Sequence, residues 1–189
     1  VALFIAGPVM TSAFYVRGAF TLADGLATGG VLAGLVVGLP AYVLVKVLTP
    51  NYFARKDTRT PVLTAIASLA INIALNLVLV PRMGIVGLAL AGSIAAWANA
   101  ALLYAILHRR GHYRMSALTA GRIARIVVAA ALMGAVLWWA IPHFGAAFVG
   151  AELGRLVAVG AVVALGGAVF FGSAFALGVV NRDTIGQLR

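Results

Sequence analysis

No cysteine occurs among the 189 residues. That excludes a disulfide framework and any thiolate metal site. Charge is also scarce, at 10% of residues, where a soluble domain carries about 25%. Acids are the scarcest: Asp24, Asp57, Glu152 and Asp183 are the whole set of four. Each lies at the end of an apolar run or in a connection. No carboxylate pair, Ser/His/Asp set or phosphate-binding glycine loop is present, so the chain reads as a non-enzyme. Histidine is equally thin. His108 and His112 are four apart, but Gly111 lies between them and no third ligand is near, so no metal site is expected. His143 follows Pro142 in a connection.

What is abundant is apolar residues, 63% of the chain, with a mean hydropathy of +1.09. They fall in six runs, at 1–16, 22–48, 61–80, 84–107, 123–141 and 153–180. A run of about 20 residues rises far enough as a helix to cross the ~30 Å hydrocarbon core of a bilayer. None shows strict polar/apolar alternation, so a barrel is disfavoured. The expected fold is all-α: a polytopic transmembrane bundle of about six helices. The chain opens at Val1, without Met and inside an apolar run, so the first helix reads as truncated. No signal peptide is visible.

Local signals place the ends. Thr21 is an expected N-cap, with Asp24 three residues on. Thr60 is a second, with Pro61 at the first helical position. Pro40 should bend the second run. Pro81 should stop the third, and Pro142 the fifth.

Basic residues outnumber acidic ones 14 to 4. Their placement in the gaps argues against nucleic-acid binding. Eleven fall in alternate connections and the tail: Lys46, Arg55, Lys56, Arg59, Arg109, Arg110, Arg114, Arg122, Arg125, Arg182 and Arg189. Only Arg17, Arg82 and Arg155 fall in the others. The positive-inside rule puts the richer side, and the C-terminus, in the cytoplasm.

Three groups of residues are candidates for function. Gly30, Gly34 and Gly38 lie on one helix face, where small residues let backbones approach closely; Gly38 and Pro40 could form a bend. Asn72 and Asn76 share a face of the third run, with Ser93 and Asn99 as neighbours on the fourth. They would serve as interhelical hydrogen-bonding groups, cavity lining or oxygen ligands to a small cation, although no carboxylate lies inside any run. Lys46, one turn inside the cytoplasmic end of its run, reads as a snorkelling anchor or a contact for an anionic headgroup or substrate. Asp57, between Lys56 and Arg59, reads as a local salt-bridge or turn residue.

The order Arg17-Gly-Ala-Phe-Thr21, Gly38-Leu-Pro40, Lys46-Val-Leu-x-Pro50, Tyr52-x-Ala-Arg55, Asp57-Thr58-x-Thr60-Pro61-Val62 resembles the MurJ/MviN family of lipid II flippases. So do Asn72-x-x-x-Asn76, Gly84-x-x-Gly87-Leu-Ala-Leu-Ala and Ser93. Beyond Met115 the likeness is one of hydropathy and length. The resemblance implies the C-terminal part of a fourteen-helix transporter of the multidrug/oligosaccharidyl-lipid/polysaccharide exporter superfamily. Residues 1–110 would be helices of the C-terminal lobe, 111–122 a basic cytoplasmic linker, and 123–189 the last two helices and tail. It implies alternating access in the bacterial inner membrane, with a lipid-linked saccharide substrate and a role in cell-wall peptidoglycan synthesis. Lys46, Arg55 and Asp57 would then contact a headgroup or take part in gating. The cationic cavity of the family belongs to helices upstream of this chain. No cofactor is implied beyond a coupling ion, Na+ or H+; Asn72 and Asn76 match family positions for such an ion. Asn76 stands where some relatives have Asp, and Gly92 where Thr is frequent. The last two helices would border a groove for the lipid tail. Expected partners are the substrate, membrane lipids and the remainder of the protein. The alternatives are a related polysaccharide or drug exporter and a non-transporting membrane scaffold.

Overall fold

A computed structural model describes residues 1–15, 22–111, 117–143 and 152–178. These contain six helices: α1 (Ala2–Tyr15), α2 (Leu22–Phe53), α3 (Arg59–Met83), α4 (Ile85–Arg109), α5 (Ala117–His143) and α6 (Glu152–Ala176). Five have segments long and apolar enough to span a membrane: Ala27–Phe53, Arg59–Met83, Ile85–Arg109, Gly121–His143 and Val157–Ala176. The expected cap at Thr21 lies outside the described residues.

The two prolines expected to stop helices, Pro81 and Pro142, lie within two residues of the ends of α3 and α5, whereas those in α2 do not end it. α2 continues through Pro40 and Pro50 to Phe53, a length of 32 residues. Side chains bond to carbonyls flanking each break. Ser93 Oγ donates to Gly34 O and Trp97 Nε1 to Val37 O, in the turn before Pro40. Thr49 Oγ1 and Asn51 Nδ2 return to Val45 O and Val47 O beside Pro50. These bonds add polar contacts around the two prolines, although the carbonyls each proline leaves without an amide are those four residues before it, of Val36 and Lys46. α3 ends at Met83, two residues past Pro81, and α5 at His143, one past Pro142.

The chain divides into two compact units. One contains α1, α5 and α6; the other is Leu26–Arg114, with most of α2 and all of α3 and α4. In the first, Ala6, Leu137 and Val162 form the buried centre. Gly134 lets α1 press against α5: a Cβ there would sit 2.7 Å from Val1 Cγ1. Trp138 and Trp139, strongly exposed near the end of α5, are the type of residue that sits at a headgroup interface.

In the second unit α4 is the inner helix. Its buried residues are almost all small, including Gly87, Ala89, Ala91, Ser93, Ala95 and Ala96. α3 is inverted relative to a helix in water. Its buried residues are Thr60, Thr64 and Ser68, while Leu63, Ile66, Leu69, Ile73 and Leu77 are exposed. Water would reward the opposite arrangement. Hydrocarbon leaves the large side chains outside and draws small and hydroxyl residues to helix contacts.

Candidate functional site

The α2–α3 connection folds as a fixed elbow. Asp57 N donates to Tyr52 O at 3.0 Å and Lys56 N to Phe53 O at 2.9 Å. With Lys56 at φ 58°, these two bonds are a Schellman motif, with a lysine in the place usually given to glycine. Tyr52, which closes it, is buried, and its hydroxyl donates to Leu103 O of α4 at 2.6 Å.

Asp57 then starts the next helix. Its carboxylate accepts from Thr60 N at 3.0 Å and from Thr60 Oγ1 at 2.7 Å. Thr58 already has helical angles and makes no side-chain cap bond. The cap is therefore Asp57, not Thr60, and Pro61 lies further into the first turn than expected. A carboxylate at this end also meets the positive pole of the helix dipole. The salt-bridge partner of Asp57 is neither Lys56 nor Arg59. It is Arg110, from the end of α4, which also reaches Thr60 Oγ1. The Thr60 hydroxyl bond, the Thr60 amide and the guanidinium, in that order, lower the Asp57 pKa to about 2. The Asp57 carboxylate thus ties the start of α3 to the end of α4, while its backbone N–H closes the end of α2.

Lys46 is exposed and stands two turns inside α2, because the helix runs beyond the apolar run to Phe53. Arg55, Lys56 and Arg59 are exposed around the elbow.

Gly30, Gly34 and Gly38 of α2 face α4. A Cβ would meet Val86 Cγ2 at 3.2 Å from Gly30, Ala89 Cβ at 3.0 Å from Gly34, and Ser93 Oγ at 2.6 Å from Gly38. Ser93 is buried there, with its hydroxyl on Gly34 O. It does not join the two asparagines. Asn76 Nδ2 instead donates to Asn72 Oδ1 at 2.8 Å.

Asn72 borders a cleft between α2 and α3, floored by α4, of about 380 Å³. Tyr42, Gly92 and Asn99 share it. A second cleft of about 510 Å³ shares Val45, Ala65 and Asn99 with the first and runs to Thr58. Asn99 Oδ1 and Asn76 Oδ1 are buried and have no hydrogen-bond partner. Among the described residues no group of His, Asp or Glu could hold a metal ion; His112 lies outside them.

The sequence profile described as lipid II flippase MurJ matches residues 1–158. This chain belongs to the MurJ family. It is 41% identical over 140 residues to the probable lipid II flippase MurJ of Rhizobium meliloti, covering 74% of this chain and 26% of that protein. It is 33% identical over 176 residues to the probable lipid II flippase MurJ of Rickettsia prowazekii, covering 92% and 34%. The lipid II flippase MurJ of Burkholderia cenocepacia is 30% identical over 178 residues, covering 94% and 34%. The chain therefore spans about a quarter to a third of the length of the curated relatives it matches. Membership and the five long apolar helices make it a multi-pass membrane chain of a transporter family.

Two contacts of the site in this MurJ-family chain had no signal in the sequence. Arg110 is 53 positions from Asp57, and Tyr52 is 51 from Leu103. Only the even number of crossings between the two basic ends, α3 and α4, hinted that they could meet.

Proposed function

We propose that this chain is the part of a lipid II flippase that supplies late helices of its C-terminal lobe and its last two helices. The protein would move a polyprenyl-pyrophosphate-linked saccharide outward across the bacterial cytoplasmic membrane. The observation that carries this reading is the profile match over residues 1–158, which includes the whole elbow. Alternating access fits the second unit, because α2, α3 and α4 are tied by side-chain bonds to backbone as well as by packing. Such a group moves as one piece. The energy would come from an ion gradient or the membrane potential, and the work is transport without covalent chemistry. Arg55 and Lys46 are placed to meet a headgroup at the cytoplasmic surface, whereas Asp57 acts in holding the elbow.

A pyrophosphate cannot cross a low-dielectric interior without cationic partners. Among the described residues, the cations of α3 and α4 stand at helix ends, and Lys46 is two turns inside α2. Residues 1–189 alone are therefore expected to be inactive. Complementation of a flippase-depleted bacterium tests this. The full-length protein should restore growth and residues 1–189 should not. Failure of a well-expressed full-length protein would favour a related exporter or a scaffold.

A further inference from the structure

We propose that a groove between α3 and α4 holds one anionic glycerophospholipid, with its phosphate on Arg110 and an acyl chain between the two helices. The inference does not depend on what the protein transports. The groove has a volume of about 350 Å³ and shares no lining residue with the two clefts beside Asn99. Its walls are Leu63 and Ala67 of α3 and Leu102 and Ile106 of α4, and Thr60 and Arg110 stand at its polar end. The Thr60 hydroxyl is engaged by Asp57, and that of Thr64 by Pro61 O at 3.0 Å. Below Arg110 the groove therefore offers apolar surface.

Charge selects the headgroup. A guanidinium has five N–H donors. Arg110 gives one to Asp57 and one to Thr60 Oγ1, the latter at 3.3 Å. The others are left for a ligand, and the side chain is 46% exposed. Arg59 and Arg109, each next in sequence to a residue at this polar end, are also exposed. Asp57 is the one acid between Leu26 and Arg114, so cations outnumber it here. Depth selects a lipid. Arg110 directly follows the end of α4, and Thr60 is the second residue of α3. From Thr60 to Ala67 the groove runs inward by roughly 10 Å. A cation at the helix ends with an apolar slot below it repeats the order of a phosphate and its acyl chain. A free phosphate would leave the slot unfilled. A zwitterionic headgroup would bring its own cation to a basic surface. A further helix docks best on small residues, whereas two leucines and an isoleucine line this slot and admit a thin chain.

Leu63 lines the groove, and Ile66 is exposed on the same helix outside it. The photo-crosslinker p-benzoylphenylalanine at one position or the other tests the site. The full-length protein is placed in vesicles of equal phosphatidylglycerol and phosphatidylcholine, and adducts are identified by mass. At Leu63 they should favour phosphatidylglycerol about fivefold, the preference that one basic contact near the surface gives. At Ile66 they should show no preference. The same ratio at both positions would mean a general attraction to the basic surface and would overturn the site. So would a crosslink to protein in place of lipid, an adduct bearing a polyprenyl chain carried over from the membrane, or no lipid adduct at Leu63. Arg110→Gln should abolish the preference at Leu63 while adducts still form, and Arg110→Lys should keep most of it. If Arg110→Gln fails to fold, Ala67→Phe carries the test, because it fills the slot and leaves the cation. It should lower the Leu63 ratio to that at Ile66, and an unchanged ratio overturns the assignment.

Discussion

Lys56 and Asp57 are adjacent, and each does backbone work that its charge conceals. Lys56 is the one non-glycine residue with positive φ among the described residues. A Cβ in that region costs roughly 1–2 kcal/mol, part of which glycine returns through unfolded-state entropy. Lys56→Gly should therefore raise stability by up to about 1 kcal/mol. A higher thermal midpoint of the purified full-length protein would confirm it, and a lower one would show that the lysine ammonium matters more than the backbone. Asp57 has the opposite dependence on its charge. Its carboxyl is held near 2, below an ordinary value of 3.8. A depressed folded-state pKa stabilises above the unfolded value and is lost as pH falls through the folded one. Asp57→Asn should lower the midpoint at pH 7, and the gap from the parent should close between about pH 4 and pH 2. A gap that closed near neutrality would implicate a different group. The ion pair with Arg110 is partly exposed, so most of the effect should come from the Thr60 bonds.

At the level of helices, the apolar runs were legible and their ends only in part. Run length and polarity give six segments with nearly the observed centres. Pro81 and Pro142 stop α3 and α5 within two residues of the expected place, whereas α2 runs past the end of its apolar run at Leu48 to Phe53. The glycines of α2 were legible as a stripe. Their partner was not, since spacing names a face and not what lies opposite. Contact geometry now separates glycines that sequence treats alike. At Gly87 a Cβ would stand 2.5 Å from Leu79 O, a backbone atom that cannot swing away. At Gly92 the nearest atoms are 3.7 Å off. Gly87→Ala should destabilise the α3–α4 hairpin by about 1–3 kcal/mol, while Gly92→Ala should change little. Gly34→Leu should also be harmful, because Ala89 Cβ is already 3.0 Å from the added Cβ position. Folded yield and thermal midpoint, compared across the three variants, would test the order. Equal tolerance at Gly87 and Gly92 would mean that the hairpin backbone gives way at little cost.

For the whole molecule, orientation is the property that sequence states most directly and contacts do not address. Eleven of the 14 basic residues lie in alternate connections and the tail. Lys and Arg resist translocation, so we propose that the side with their excess is cytoplasmic. The elbow adds a physical reason for one of these connections. Its basic side chains are exposed while its only acid is already held by Thr60 and Arg110. The surface left over is cationic and suits the anionic cytoplasmic leaflet, where each basic residue near the surface contributes about 1 kcal/mol. Single cysteines at Thr58, in the elbow, and at Thr119, in the first turn of α5, are therefore expected to react with thiol reagent from the cytoplasmic side. A cysteine at Met83, at the far end of α3, should react from outside. α3 is 25 residues long, about 37 Å, so Thr58 and Met83 cannot both reach one surface if the helix spans the bilayer. Labelling of both from the same side would remove α3 as a span. Labelling of Thr58 and Thr119 from opposite sides would instead keep α3 and break the alternation of connections that the charge pattern requires.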